Sequence, residues 1–369
     1  MGRITGSGES VTLNFISRLF PYAHDPTPGD SRLQGLREYR SFSDVRDAQR
    51  EREARADQPC LFDRFDWLES LHRHCLPDMP VRVIEAWRDG KAVWLFLLTP
   101  QARQLSALAN WYSFSWAPIF VGSPDRATQA QLLDSVAAHL VRDTAQIDLY
   151  PLSDHHGSVA MLLAAFRRMG WLAVRRPMGG NYRLELGGRD FATYWAERPG
   201  RLRTLVKRKE RGGILLRLTG QMTDTDWDAY LTVHDRSWKE PEPHIRFFRE
   251  LAEREGAAGR LRLGFAELDG RPIATQLWTV ENGTALIHKL AHDKAFDAAS
   301  PGTLLSHAMF AQAIDRDRVS TIDYGTGDNE YKREWMDQRA TLHRIDCFNP
   351  RFASSWIPAA RTAISALVG

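Results

Sequence analysis

Two Asp-Gly pairs, Asp89-Gly90 and Asp269-Gly270, each separate two apolar runs rich in β-branched and aromatic residues, and they constrain this chain more than any other feature. Asp-Gly between such runs marks a tight β-hairpin, because the turn it favours twists with the flanking strands. The first hairpin is predicted over Val81–Trp87 and Ala92–Thr99, the second over Leu261–Leu268 and Ile273–Val280. Similar elements follow each. In the first half, Leu132, Leu133, Val136, Ala137 and Leu140 give a helix over Thr128–Val141. A strand at Gln146–Tyr150 and a helix at Val159–Met169, stopped by Gly170, come next, then strands at Trp171–Arg175 and Tyr182–Leu186.

The second half opens with a basic helix over about Phe191–Arg211, a strand at Ile214–Leu218 and helices at Asp224–Trp238 and Ile245–Glu255. After its hairpin come a strand at Thr284–His292, a helix at Thr303–Asp315, a strand at Thr321–Tyr324, a helix at Asn329–Met336 and a strand at Thr341–Phe348. Both halves therefore read as hairpin, helix, strand, helix, strand. The repeat is one of element order and not of residues. It implies an α/β (α+β) class with two tandem units, each a mixed twisted sheet flanked by helices. At 369 residues the chain can bury two such cores.

The expected boundaries are an N-terminal leader over 1–58, flexible or a loosely docked helix, units over 59–188 and 189–350, and a tail over 351–369. The leader is assigned from a Pro/Gly/Asp stretch at Asp25–Asp30 and a charge-dense stretch at Asp44–Asp57. Three widely spaced cysteines, Cys60, Cys75 and Cys347, offer neither a disulfide framework nor zinc spacing, which fits a reducing, cytoplasmic setting. The N-terminus lacks the apolar core of a secretory signal, and the strongest apolar run, Ala92–Leu98, is too short to span a bilayer. A net charge of +3 argues against broad nucleic-acid binding. His155-His156 lacks metal-ligand spacing, so no metal is expected.

Chemistry concentrates in Lys289–Trp335. There a strand ends, Ser300-Pro301-Gly302-Thr303 opens a helix, and the chain returns to another strand. Ser300 suits the N-cap and Pro301 the first helical position. A helix start presents unpaired N–H groups to an anion, although a well-capped structural helix reads the same way.

The Ser300-Pro301-Gly302 opening, Asp323, Gly327-Asp328, Tyr331-Lys332 and Trp335 resemble the acyltransferase domain of the GNAT-related superfamily. The likeness is to its tandem-domain branch, with the FemABX-like transferases and cellulose-biosynthesis accessory proteins. It is good over about 190–350 and weaker over 60–186, where Phe62–Trp67 and Phe166–Trp171 carry it. The resemblance implies two GNAT-like domains, the first degenerate, and an acyl-CoA co-substrate. Its diphosphate would lie on the helix at Thr303 and its pantetheine arm between splayed strands Thr284–His292 and Thr321–Tyr324. On that basis Leu290, Ala291, Ser300, Pro301, Gly302 and Thr303 would hold the donor.

Tyr331 would protonate the departing sulfur, against a packing role. Asp323 would take a proton or bind a cationic acceptor, or else cap a turn or pair with Lys332. His288 is the other candidate base, on the strand face it would share with Leu290. Gln276, Lys332 and Trp335 are candidates to touch the acceptor, Gln276 having the alternative of a satisfied core amide. Trp111, Tyr112, Phe114 and Trp116 form an aromatic patch for packing or for an acceptor groove.

The implied function is N-acyl transfer from acyl-CoA to a small amine in a cleft between the halves. The acceptor would be an amino sugar or a cell-envelope or polysaccharide precursor. The dense basic run over 201–211 is a solvated face or a contact for a phosphate-bearing precursor. Two rivals stay open: an aminoacyl-tRNA donor, and an inactive scaffold whose Ser300 loop and Tyr331 cleft would be filled by side chains.

Overall fold

The computed structural model describes residues 35–50, 60–154, 157–327 and 329–368. His155, His156 and Asp328 lie outside them, as do residues 1–34 and 51–59 of the expected leader. The strands of the first half are β1 (Gly35–Tyr39), β2 (Val81–Arg88), β3 (Lys91–Gln101), β4 (Gln104–Ala107), β5 (Ile119–Val121), β6 (Gln146–Ser153) and β7 (Leu172–Glu185). Those of the second are β8 (Leu215–Thr219), β9 (Leu261–Leu268), β10 (Arg271–Glu281), β11 (Thr284–His292), β12 (Thr321–Thr326) and β13 (Gln338–Phe348). They join in one mixed sheet of order β1-β2-β3-β4-β6-β13-β7-β12-β11-β10-β9-β8, with β5 on β3. Both Asp-Gly hairpins form, β2–β3 and β9–β10, with Asp89 and Asp269 at positive φ as the turn demands.

The two halves share strands. β7 is continuous where two strands were expected, because a bulge opposite Leu342/His343 carries it past Pro177 and Gly179. Its end pairs with β12 of the second half, while β13, the last strand of the second half, lies between β6 and β7. Within the expected leader, residues 35–50 are docked and not flexible. There β1 pairs with β2, and the helix Phe42–Arg50 buries Phe42, Val45 and Ala48. The expected basic helix is two, Phe191–Ala196 and Gly200–Lys209, since Pro199 has no N–H to donate and forces the residue before it out of the helix.

Apolar side chains fill three clusters. One lies under the helices Arg126–Leu140 and Ser158–Arg168 of the first half. Another lies under Pro301–Ala311 of the second. The third joins the halves, with Trp67 and Leu71 of helix Phe65–Cys75 and Phe96 of β3 meeting Phe247, Leu251, Phe265 and Leu277. Beside it Arg64 donates to both oxygens of the buried Glu255, each at 3.0 Å. Among the described residues no helix is long and apolar enough to cross a membrane.

Candidate active site

β11 and β12 run parallel but pair only from Thr284↔Thr321 to Leu286↔Asp323. Beyond that rung β11 follows β10 to His292, and β12 returns to β7 at Thr326↔Asn181. The sheet is therefore split. On one face the split opens into a cavity of about 450 Å³ lined by Leu290 and His292 of β11, Tyr324 of β12, Ser300, Gly302, Thr303 and Ser306 at the helix start, and Tyr331 and Trp335 beyond.

The helix start is prepared for an anion in a way the sequence did not foretell. Ser300 takes the N-cap position but in the left-handed region (φ 54°), and its hydroxyl makes no capping bond. The first-turn N–H groups thus have no side-chain acceptor. Gly302 approaches closely: a Cβ there would lie 3.3 Å from His292 Nδ1. Gln276, expected at the acceptor, instead holds this turn from below. Its Nε2 donates to Ser306 Oγ (2.7 Å) and Gly302 O (3.3 Å), and its Oε1 accepts from Trp278 Nε1 (3.0 Å). Lys209 of the basic helix donates to Ala298 O at 2.5 Å, bringing a cation to the same loop, and Lys294 lines the cavity. Pro301 and Ala291 are buried and outside the lining, since strand alternation turns Ala291 away from the side of Leu290 and His292.

His288 does not share a face with Leu290. It is the extra residue of a bulge, skipped between Trp278↔Ile287 and Leu277↔Lys289, and the bulge shifts the alternation. His288 therefore sits among Phe62, Trp67 and Phe114, bonded to Thr279 Oγ1 at 2.8 Å. Burial pushes its imidazole down to about 3 and so keeps it neutral. Lys289 faces the same side, bound to Glu242 and lying over the ring of Tyr112.

Each lip of the split holds a lysine. Lys239 Nζ donates to Leu290 O (2.5 Å) on the β11 side, and Lys332 Nζ donates to Thr326 O (2.6 Å) and Gly325 O (3.3 Å) on the β12 side. Burial pushes both ammonium groups down to about 8, with Asp323 partly opposing the shift at Lys332. These carbonyls are freed by the split, which is why lysines serve them. Tyr331 is 42% exposed and edge-on to Tyr324 at 5.7 Å. It stands between the cavity and a groove of about 660 Å³ along the helix Gly200–Lys209, and partial burial pushes its phenol up. Trp335 is buried in the cavity wall. Asp323 lies on the opposite face of β12 and caps a turn. It accepts from Gly325 N (2.8 Å) and Asn181 Nδ2 (2.8 Å), and burial pushes its carboxyl up.

Sequence reasoning missed Trp238, His292, Ser306 and Tyr324 in the cavity wall. Ser306 stands four residues after Gly302, one turn along the same helix face, and that spacing was the available signal. Trp238 carried none.

A split parallel pair beside an uncapped helix start thus leaves one open cavity between strand edge and helix end. Residues 182–333 match the family model described as an acetyltransferase (GNAT) domain. No curated protein matches it. Among solved structures, FemX is 12% identical with a TM-score of 0.56, over 85% of this chain and 98% of that one. The C-terminal domain of a putative lysylphosphatidylglycerol synthetase from Agrobacterium fabrum is 13% identical with a TM-score of 0.53, over 88% and 96%. A conserved protein of unknown function from Bacteroides thetaiotaomicron is 12% identical with a TM-score of 0.51, over 84% and 97%. At these identities the likeness is one of fold. Among the described residues no group of His, Cys, Asp and Glu could hold a metal ion.

Proposed function

We propose that the protein transfers an acyl group from acyl-CoA to an amine, with the donor in the cavity between β11 and the helix Pro301–Ala311. The observation that carries this reading is the coincidence of the split strands, the uncapped helix start and Tyr331 around one cavity. First-turn N–H groups, with Lys209 and Lys294 close by, suit a diphosphate. Leu290, Tyr324 and Trp335 give a pantetheine arm apolar walls. Tyr331 supplies the proton to the leaving sulfur, and Lys332, held beside Tyr324, stabilises negative charge at the split. The Ser300 loop and the Tyr331 cleft line open space, which speaks against an inactive scaffold. The odd, free cysteines fit a reducing cytoplasm, and an amino sugar or envelope precursor is one class of acceptor.

A second reading, an aminoacyl-tRNA donor, draws on one feature. The groove lined by Arg201 and Arg208 meets the donor cavity at Tyr331 and Glu334, a path for a phosphate chain. Thermal-shift measurements with acetyl-CoA, longer acyl-CoAs and free CoA test the first reading: a CoA ligand raises the midpoint. No shift with any of them, together with salt-sensitive tRNA binding, would select the second. Tyr331→Phe is expected to lower turnover about 100-fold with donor affinity kept. Unchanged turnover removes the acid role.

A further inference from the structure

A second, deeper cavity of about 690 Å³ lies on the other face of the sheet, walled by both halves. Asp63, Asn181, Arg183, Glu281 and Asp323 gather at one part of it, and Trp116, Leu133, Met161 and Leu162 form an apolar wall. Leu286 and Asp323, the last rung before β11 and β12 part, belong to its lining, while the neighbouring Tyr324 lines the donor cavity. The two spaces thus flank one point of the sheet.

Two acceptors in this cavity lack donors. Asn181 is 4% exposed, and its Nδ2 is taken by Asp323, yet its Oδ1 has no hydrogen-bond partner. The Asp63 carboxylate makes no hydrogen bond or ion pair among the described residues. A buried acceptor left open, as Asn181 Oδ1 is, is costly, and beside the half-buried Asp63 carboxylate it fits a ligand that brings N–H groups. A volume of this size suits a small molecule.

We propose that this cavity binds the acceptor, a primary amine on a compact apolar body, with Asp63 taking the proton from its ammonium group and Asn181 Oδ1 accepting an N–H. The proposal rests on the acyl-transfer reading. The ammonium gives one proton to Asp63. The freed nitrogen pair forms the C–N bond, the C–S bond breaks, and the nitrogen's next proton ends on sulfur by way of Tyr331. Asp63 then returns its proton to solvent, so one proton is released per turnover. Cys60 from its own turn, Arg183 of β7, Glu281 of β10 and Asp323 of β12 face this part of the cavity. Burial pushes the Asp63 carboxyl up to about 7, which suits exchange with an amine near neutral pH.

The test uses the full chain with acetyl-CoA as donor and phenethylamine and glucosamine as probes. Thermal shift reads binding of each, and mass spectrometry reads the amide. Asp63→Asn should keep the acetyl-CoA shift, lower phenethylamine acetylation about 100-fold at pH 7, and lack the inflection near pH 7 expected of the native rate. Met161→Trp, which fills the cavity, should keep the acetyl-CoA shift and lose the phenethylamine shift. Native-like rate and pH profile in Asp63→Asn, phenethylamine binding that survives Met161→Trp, a preference for glucosamine, or no amine binding to the native protein would each overturn the proposal. Loss of the acetyl-CoA shift in the native protein would instead strike the donor reading, while amine binding still reports on the cavity.

Discussion

Each half contains the same short parallel junction, and only one of them is left open. In the first half β4 pairs with β6 from Gln104↔Gln146 to Ser106↔Asp148, as β11 pairs with β12 in the second. Where β4 ends, Trp116 bridges the strands on either side. Its backbone N–H donates to Pro151 O of β6 at 2.6 Å, and its indole Nε1 donates to Phe96 O of β3 at 3.1 Å. The helix starts differ in the same sense. Asp125 caps Arg126–Leu140 by accepting from Thr128 N at 2.8 Å, which puts a carboxylate where a phosphate would have to sit. Ser300 leaves its helix uncapped. One scaffold therefore yields a bridged junction with a capped helix start and an open junction with an uncapped one, through a tryptophan and a cap.

The largest expected effect comes from unsealing the first junction. Trp116 is 4% exposed, so Trp116→Ala removes a buried indole and two hydrogen bonds' support, at a cost of about 3 kcal/mol. Urea unfolding measures it, and the acetyl-CoA shift should remain. A cost below about 1 kcal/mol would mean that Trp116 does not close the gap.

Ser300→Asp gives the second helix the negative cap of the first. Asp tolerates the left-handed backbone at this position, so the fold should hold. The added carboxylate competes with a diphosphate for the helix start. Donor affinity should fall about 30-fold, near 2 kcal/mol, as titration calorimetry with acetyl-CoA would show. Unchanged affinity would separate the donor from this helix.

Much of the open half was legible because its signals are local. Asp269-Gly270 fixes a hairpin, and Ser300-Pro301-Gly302 marks a helix start whatever lies around it. Pro199 also announced its break, but the basic run masked it. What stayed hidden depends on distant partners. The bulge at His288 arises only when β10 and β11 pair, and it decides that His288 packs against Phe62 from the other half. The place of β13 between β6 and β7 is a long-range choice that its own residues do not announce. Asp63 stands in a short turn with no periodic pattern, and it matters only because both halves close over it. Gly325, with φ 73°, has the Phe114 ring 2.7 Å from where a Cβ would sit, another contact between halves that neither segment foretells alone.

The smallest effect tests the sealed helix start directly. Asp125 is exposed, and its carboxyl lies below the usual range because the Thr128 side chain and backbone N–H bond to its charged form. A carboxyl lowered on folding contributes stability above its unfolded value, near 4, and loses it as pH falls through the folded value. Asp125→Ala should therefore lower the melting midpoint by roughly 2 °C at pH 7, with the difference from the native protein shrinking once pH falls below about 4 and vanishing only below the lowered folded value. Acetyl-CoA protection should be unchanged in this variant, because the first helix start holds no donor. A gain of CoA binding on removing Asp125 would show instead that the first junction is closed by its cap alone, and that Trp116 leaves room for a ligand.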